Sequence, residues 1–353
     1  MSNKVDFEYC ASSFLMYRTI IDKSRKFYDN VLPNIVEIPE GREVIKNSEE
    51  LYKSLKRQVE NVSRNRKVAL ALSGGIDSAI LAKFLPKNTM TYTFKCVVPG
   101  KKVTDETERA KKYANECNLK NKVIEIYWED FEKYTPILMK NKGAPIHSIE
   151  VQIYKAALQA KKDGVDTLIF GESADCLYGG LSNILSRDWT FGEFIDRYSF
   201  VLPYKVLKKY NMDLTPIMKY TKKDGYIDVQ GFYGNVFFKE SINSYYNACE
   251  TAGIECYLPF ANTIMGVPLD LKLVREGNNK YLIRDVFKTL YEDFEVPPKT
   301  PMPRPMNEWF EKWEGPNSNM FYPKCALNMS GDQKWLIWSL NTFININEKN
   351  LST

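Results

Sequence analysis

Histidine is almost absent from this 353-residue chain, and His147 is its one copy. The seven cysteines, Cys10, Cys96, Cys117, Cys176, Cys249, Cys256 and Cys325, stand apart, and no two form a C-x-x-C pair. A zinc site of usual spacing is therefore not expected, and reduced, mostly buried thiols are. No stretch approaches the roughly 18 consecutive apolar residues of a membrane span. The opening MSNKVDFEYC carries charges where a signal peptide needs its apolar region. A cytoplasmic protein with no membrane partner is the expectation. A strong charge of one sign is missing too: the net charge of +5 is spread along the chain. It gives no argument for a nucleic-acid partner. The Walker pattern G-x-x-x-x-G-K-[ST] does not occur, nor do internal repeats or low-complexity segments.

What is present is ordinary globular material, 44% hydrophobic and 26% charged, long enough for a large core. The informative stretch is Val68 to Leu85, VALALSGGIDSAILAKFL. Val68 to Leu72 is an apolar run of strand formers, and Leu81, Ala82 and Leu85 follow at helical spacing. Between them lies Ser73-Gly74-Gly75-Ile76-Asp77-Ser78, a glycine loop that turns tightly and brings backbone N–H groups close to a ligand. The helix start behind it favours an anion. Ser73 and Ser78 add hydroxyls, and Asp77 adds a carboxylate able to hold a cation. An ordinary strand-to-helix turn has the same composition.

Elsewhere, residues 1 to about 45 form an aromatic and polar lead-in with weak strand patterns. Asn47 to Val62 has helical spacing. Thr91 to Val98, Lys122 to Tyr127 and Thr167 to Phe170 are expected strands. Thr104 to Cys117, Ser148 to Lys162 and Gly331 to Ile346 are expected helices. Strands alternating with helices predict an α/β protein, a parallel sheet with helices on both faces, followed by a mostly helical C-terminal part. Ligands sit beyond the carboxyl ends of such strands. Phe170 to Gly180, FGESADCLYGG, follows a strand at that edge. Asp175 with Asp77 would share a magnesium ion, and Glu172 would orient or deprotonate a nucleophile. Acids at a helix N-terminus are the other reading of that spacing.

SGGIDS resembles the SGGxDS pyrophosphate loop of the ATP-pyrophosphatase superfamily. FGESADCLYGG resembles the G-[DE]-G-[AS]-D-E-x-x-G-G stretch of the asparagine synthetase family. Further motifs stand in that family's order. They are Gly143-Ala144-Pro145, Tyr257-Leu258-Pro259-Phe260, Asn279 to Arg284 beside its K-x-x-L-R, Thr300 to Pro305, and a Trp-rich tail. The resemblance covers about residues 45 to 345, which implies a synthetase domain at 46–345 and a tail at 346–353. Residues 1–45 are similar to the family's connecting piece, and the glutaminase domain that usually precedes it is not seen; position 2 is Ser2.

The resemblance implies ATP and magnesium. Ser73, Gly74, Gly75, Asp77 and Ser78 would bind the pyrophosphate, and Leu72, Cys96 and Gly171 the nucleoside. Asp77 and Asp175 would hold the metal. Glu172 would stand nearest the reacting centre, and Lys280 would meet phosphate and acyl-adenylate oxygens. The implied activity is an AMP-forming ligase joining a small-molecule or peptide carboxylate to ammonia or an amine. Glutamine would not serve the chain alone, and a separate glutaminase subunit is one source of ammonia. Ser173 replaces a family glycine, Cys176 a glutamate, Leu181 an aromatic residue, and Leu258 sits near a basic position. The ATP half is retained and the acceptor half is open. A nucleobase- or amide-modifying enzyme and an inactive nucleotide-binding subunit are the alternatives.

Overall fold

The computed structural model describes residues 4–300 and 302–351. Ser2, Pro301 and the last two residues of the expected tail lie outside them. The chain starts with β1 (Lys4–Val5), which pairs in parallel with β2 (Arg25–Lys26) around a helix, α1 (Phe7–Tyr17). Strand patterns were expected here, so α1 is a correction. Its residues from Tyr9 to Tyr17 are all buried, so no polar face marks a helical period in the sequence. Asp6 caps it, accepting from the Tyr9 N–H at 3.1 Å.

A short strand, β3 (Glu43–Ile45), leads into α2 (Ser48–Asn65). Asn47 caps α2 by accepting the Glu50 N–H at 2.9 Å. Leu51, Leu55 and Val59 form its buried face. There follow β4 (Val68–Ala71), α3 (Ile76–Ala82), β5 (Met90–Cys96), α4 (Thr107–Glu116) and β6 (Lys120–Ile126). Next come α5 (Trp128–Lys142), α6 (Ile149–Lys162), β7 (Thr167–Ile169) and α7 (Ala174–Leu177). The expected helix over 104–117 starts three residues later, with Glu106 at its cap position. The strand expected over 122–127 runs from 120 to 126, and the terminal helix extends beyond Ile346, to Leu351. Helix α5 has no counterpart in the sequence reading; Pro136 lies inside it.

The main sheet is fully parallel, in the order β6-β5-β4-β7-β8, with β8 spanning Glu255–Tyr257. Strand β4 is central. Its Val68, Ala69 and Leu70 are buried, as expected for a strand covered on both faces. Helices α2 and α3 pack with the helix Tyr281–Leu290, while α5 and α6 pack with the helix Phe238–Ala252. From β4 the chain winds outward through β5 and β6, then returns to place β7 on the other side of β4. That reversal opens a crevice between the carboxyl ends of β4 and β7. A small parallel pair, β3 with β9 (Thr263–Met265), lies outside the main sheet.

The early and late parts of the chain share one core. The Phe27 and Phe343 rings are 4.9 Å apart, and Trp335 donates to the Ile146 carbonyl at 3.0 Å. Among the described residues no helix is long and apolar enough to cross a membrane.

Candidate active site

The crevice is built first from backbone. After β4 the chain turns through Ser73 to Gly75 and enters α3. The Ser73 N–H donates to Ser78 Oγ at 3.0 Å, and the Gly75 N–H donates to Ser73 Oγ at 3.1 Å. The two serines thus hold the loop open from within. From behind, Arg109 Nη1 donates to the Gly74 carbonyl at 3.2 Å. Glu106 is buried beside the same glycine, and burial pushes its carboxyl up. Across the crevice, Gly171 follows two residues after the end of β7. A Cβ there would meet the Ser78 nitrogen at 2.9 Å and Asp77 Cβ at 3.0 Å. Only a glycine lets this segment approach the first turn of α3 so closely.

Four charged side chains meet at this point. Lys280, 5% exposed, reaches Asp77 Oδ2 at 2.6 Å and Asp175 Oδ1 at 2.7 Å. Lys299 reaches the same Asp175 oxygen at 2.8 Å and the Gly180 carbonyl at 2.5 Å. Residues 77, 175, 280 and 299 come from four separate parts of the chain. Lys280 stands in left-handed backbone, φ 55°, at the start of the helix Tyr281–Leu290. Burial works against its charge, but Asp175 and Asp77 outweigh it and raise its pKa. Burial raises Asp175 too, yet Lys280 and Lys299 prevail and hold it down at about 2. Burial pushes Asp77 up against the pull of Lys280.

Asp77 Oδ1 is buried and has no hydrogen-bond partner among the described residues. Among those residues no cluster of three or more His, Cys, Asp or Glu side chains is placed to hold a metal. Two carboxylates and an unpartnered oxygen nevertheless suit magnesium, which takes few protein ligands and leaves the rest to phosphate and water.

Glu172 also lines the cleft, and its Oε1 accepts from Ser241 Oγ at 2.5 Å. Tyr245 beside it is pushed well up by burial and by the Glu172 charge, and its ring meets Phe170 edge-on at 4.9 Å.

Leu72, Ser73, Gly75, Asp77, Ser78, Gly171, Glu172, Asp175 and Lys280 are brought together around the cleft. Gly74 and Cys96 are not on its lining. Gly74 backs onto Glu106 and Arg109, where an added Cβ would come within 3.1 Å of Glu106 Cβ. Cys96 donates to the Pro303 carbonyl at 3.3 Å, and burial raises its thiol to about 12. Phe94, two residues earlier, lines the cleft.

Two of the departures from the motif, Ser173 and Cys176, lie side by side. Ser173 has φ 76°, the left-handed conformation that a glycine adopts freely and a serine at a cost of about 1–3 kcal/mol. Cys176 is buried and donates to the Ser173 carbonyl at 3.2 Å.

The sequence reading passed over Lys299, Ser241 and Tyr245. Lys299 had a signal, the Pro297-Pro298-Lys299 run just before a stretch already singled out. Ser241 and Tyr245 had none, because they sit inside a long helix far along the chain.

Fold and site together define a doubly wound α/β protein with a charged crevice at its switch point. The asparagine synthase family model matches residues 48–237, more than half of the chain. The chain belongs to the asparagine synthase family. Among solved structures, an NH3-dependent NAD synthetase from Campylobacter jejuni is similar at 17% identity, over 38% of this chain and 61% of that one, with a TM-score of 0.26. An NMN synthetase from Francisella tularensis matches at 13% identity over 72% of this chain and 100% of that one, with a TM-score of 0.27. A U34-tRNA thiolase from Methanococcus maripaludis matches at 16% identity over 75% and 92%, with a TM-score of 0.27. The match spans less than two thirds of the NAD synthetase. No curated protein matches.

Proposed function

We propose that the chain is an ATP-dependent, AMP-forming carbon–nitrogen ligase, which adenylates a substrate carboxylate and passes the acyl group to ammonia or an amine. The observation that carries this reading is the meeting of Asp77, Asp175 and Lys280 beside the Ser73–Gly75 loop. The loop and its serines would hold the pyrophosphate part of ATP, with Leu72 and Gly171 beside the nucleoside. Asp77 and Asp175 would hold magnesium, which when bound neutralises phosphate oxygens. Lys280 would stabilise charge that grows as the substrate carboxylate attacks the α phosphate, so its gain is largest in the transition state.

Glu172 stands on the other wall with its carboxylate oriented by Ser241. There it would take a proton from the attacking nitrogen. The nitrogen would come as free ammonia, as an amine, or from a separate subunit. Phe170 and Tyr245 supply an apolar flank for the carboxylate substrate.

The test is ATP–pyrophosphate exchange with a panel of carboxylates, followed by product analysis. AMP and pyrophosphate are the expected products. Stoichiometric ADP and phosphate would sink the reading.

A further inference from the structure

The net charge of the chain is less evenly spread than the expectation of no nucleic-acid partner assumes. Residues 203–223 hold six lysines, Lys205, Lys208, Lys209, Lys219, Lys222 and Lys223, against one acid, Asp213. That excess of five positive charges equals the net charge of the whole chain. Asp213 does little to offset it. The Thr215 N–H donates to its Oδ1 at 2.9 Å and the Tyr9 hydroxyl to its Oδ2 at 3.4 Å, so the carboxylate is engaged within the fold.

The first part of this segment is a fixed shelf. Val206 and Leu207 are buried. The Lys208 N–H donates to the Met320 carbonyl at 3.0 Å, and the Tyr322 N–H to the Val206 carbonyl at 2.9 Å. With that apolar pair turned in, Tyr204, Lys205, Lys208, Lys209 and Tyr210 are all exposed. Tyr204 and Tyr210 keep 45% and 46% of their surface, and Tyr322 beside the segment keeps 42%. One such side chain on a surface is ordinary, but a group of them marks a place of contact. The Tyr204 and Tyr210 rings lie 6.5 Å apart at 58°, so neither covers the other face to face. Among the described residues no carboxylate pairs with Lys205, Lys208 or Lys209; Lys205 Nζ stands 5.9 Å from the centre of the Tyr204 ring. Lys324, two residues past Tyr322, is met by Glu314 at 3.0 Å and adds nothing.

We infer that this shelf binds single-stranded nucleic acid, with bases stacked on its tyrosine rings and phosphates held by Lys205, Lys208 and Lys209. Such binding needs open π faces, which any base can stack on, and cations free to displace the counterions of the backbone. Tyr204 to Tyr210 supply both. An anionic membrane fits less well. The apolar groups exposed on this stretch are tyrosines alone, and its aliphatic Val206 and Leu207 are buried where they cannot enter an acyl layer. A duplex keeps its base faces covered.

The inference goes beyond the ligase reading and does not rest on it. The experiment is fluorescence anisotropy of labelled oligouridine and oligothymidine of about 12 nucleotides, and of a duplex of that length, titrated with the full chain. Phosphatidylserine vesicles are tested by co-sedimentation, and thermal melting checks the folding of each variant. At least one single strand should bind with a Kd between about 1 and 100 µM at physiological salt. The logarithm of its affinity should fall against that of salt with a slope of about −2, as for three phosphate contacts on a single strand. Tyr204→Ala and Tyr210→Ala should each weaken binding by about 5- to 150-fold, the range for one stacked base. Lys205→Gln, Lys208→Gln and Lys209→Gln combined should flatten the salt slope, while Lys280→Met, in the cleft, should bind as the unaltered chain does. No binding of either single strand below about 100 µM overturns the inference. So does affinity that survives the shelf substitutions, or that is lost in Lys280→Met alone, which would put the strand in the cleft. Equal affinity for the duplex removes the stacking role and overturns it too. Vesicle binding that the shelf substitutions abolish, with no binding of single strands, would make the shelf a membrane contact instead.

Discussion

A methyl group added at Gly180 would stand 2.0 Å from Asp175 Oδ1 and 2.2 Å from Lys280 Cε. Gly180→Ala should therefore part the lysine from the carboxylate without touching the core. ATP–pyrophosphate exchange should fall by at least about 100-fold, the scale for losing one preorganised electrostatic group, while the circular dichroism spectrum is unchanged. Near-normal exchange would show that the cleft absorbs the methyl group and that the contact is dispensable. Lys280→Met removes the shared ammonium and leaves Asp77 and Asp175 facing each other. Exchange should fall by a similar factor, and a rate equal to that of the unaltered chain would return Lys280 to a structural role. Asp77 and Asp175 stand out in the sequence because each lies in a short motif with its own local chemistry, whereas Lys280 stands out only through the resemblance of its stretch to K-x-x-L-R. Ser241 and Tyr245 do not, because they join the site through tertiary approach from inside a long helix, and Lys299 had only the Pro297-Pro298 run beside it as a signal.

At the level of elements, α2 shows what local signals can specify. The apolar face of Leu51, Leu55 and Val59 is readable by position and forms as expected, while Asn47, expected as the first helical residue, is the cap that accepts the Glu50 N–H. Asn47→Ala removes the side chain that accepts the Glu50 N–H, at an exposed helix start far from the cleft. It should cost about 1 kcal/mol in denaturant unfolding and leave nucleotide binding alone. No change in unfolding midpoint would mean that water replaces the cap at no cost. Helices α1 and α5 were hidden for opposite reasons. Helix α1 is buried along nearly all its length, so its sequence has no polar stripe to mark the period. In α5 the first turn tolerates poor helix formers, but Pro136 sits in the interior, where it removes an N–H and reads as a stop. The strands were clearer than their edges: β7 ends one residue earlier than expected, and β6 begins two residues sooner.

Across the whole molecule, distant segments are tied by a buried polar network. Arg18, just after α1, donates to Glu240 Oε2 at 2.6 Å and to His147 Nε2 at 2.9 Å. Its guanidinium also lies 4.1 Å from the centre of the Phe200 ring. His147 is held well below its ordinary pKa by burial first, then by Arg18, Arg304 and Lys142, while Glu240 Oε1 is 3.9 Å from its Nδ1. The folded chain thus keeps His147 neutral where the unfolded chain protonates it. Stability should fall as pH drops below about 6.5, with a slope approaching about 1.4 kcal/mol per pH unit from this one group. Because the chain has no other histidine, His147→Gln should remove that part of the slope between about pH 6 and 5. Parallel curves for the two proteins, measured by urea unfolding, would show that His147 is protonated in the folded state.

The balance of lysines and aspartates in the cleft bears on how a nucleotide arrives. Clefts lined by one sign of charge draw ions in from a distance and lose that pull in salt. Here Lys280 and Lys299 are already met by Asp77 and Asp175. An approaching polyphosphate feels little long-range field, so its association rate should hardly respond to ionic strength. Capture then waits on the moment when an internal partner lets go, and the observed rate should level off at high nucleotide concentration rather than rise without limit.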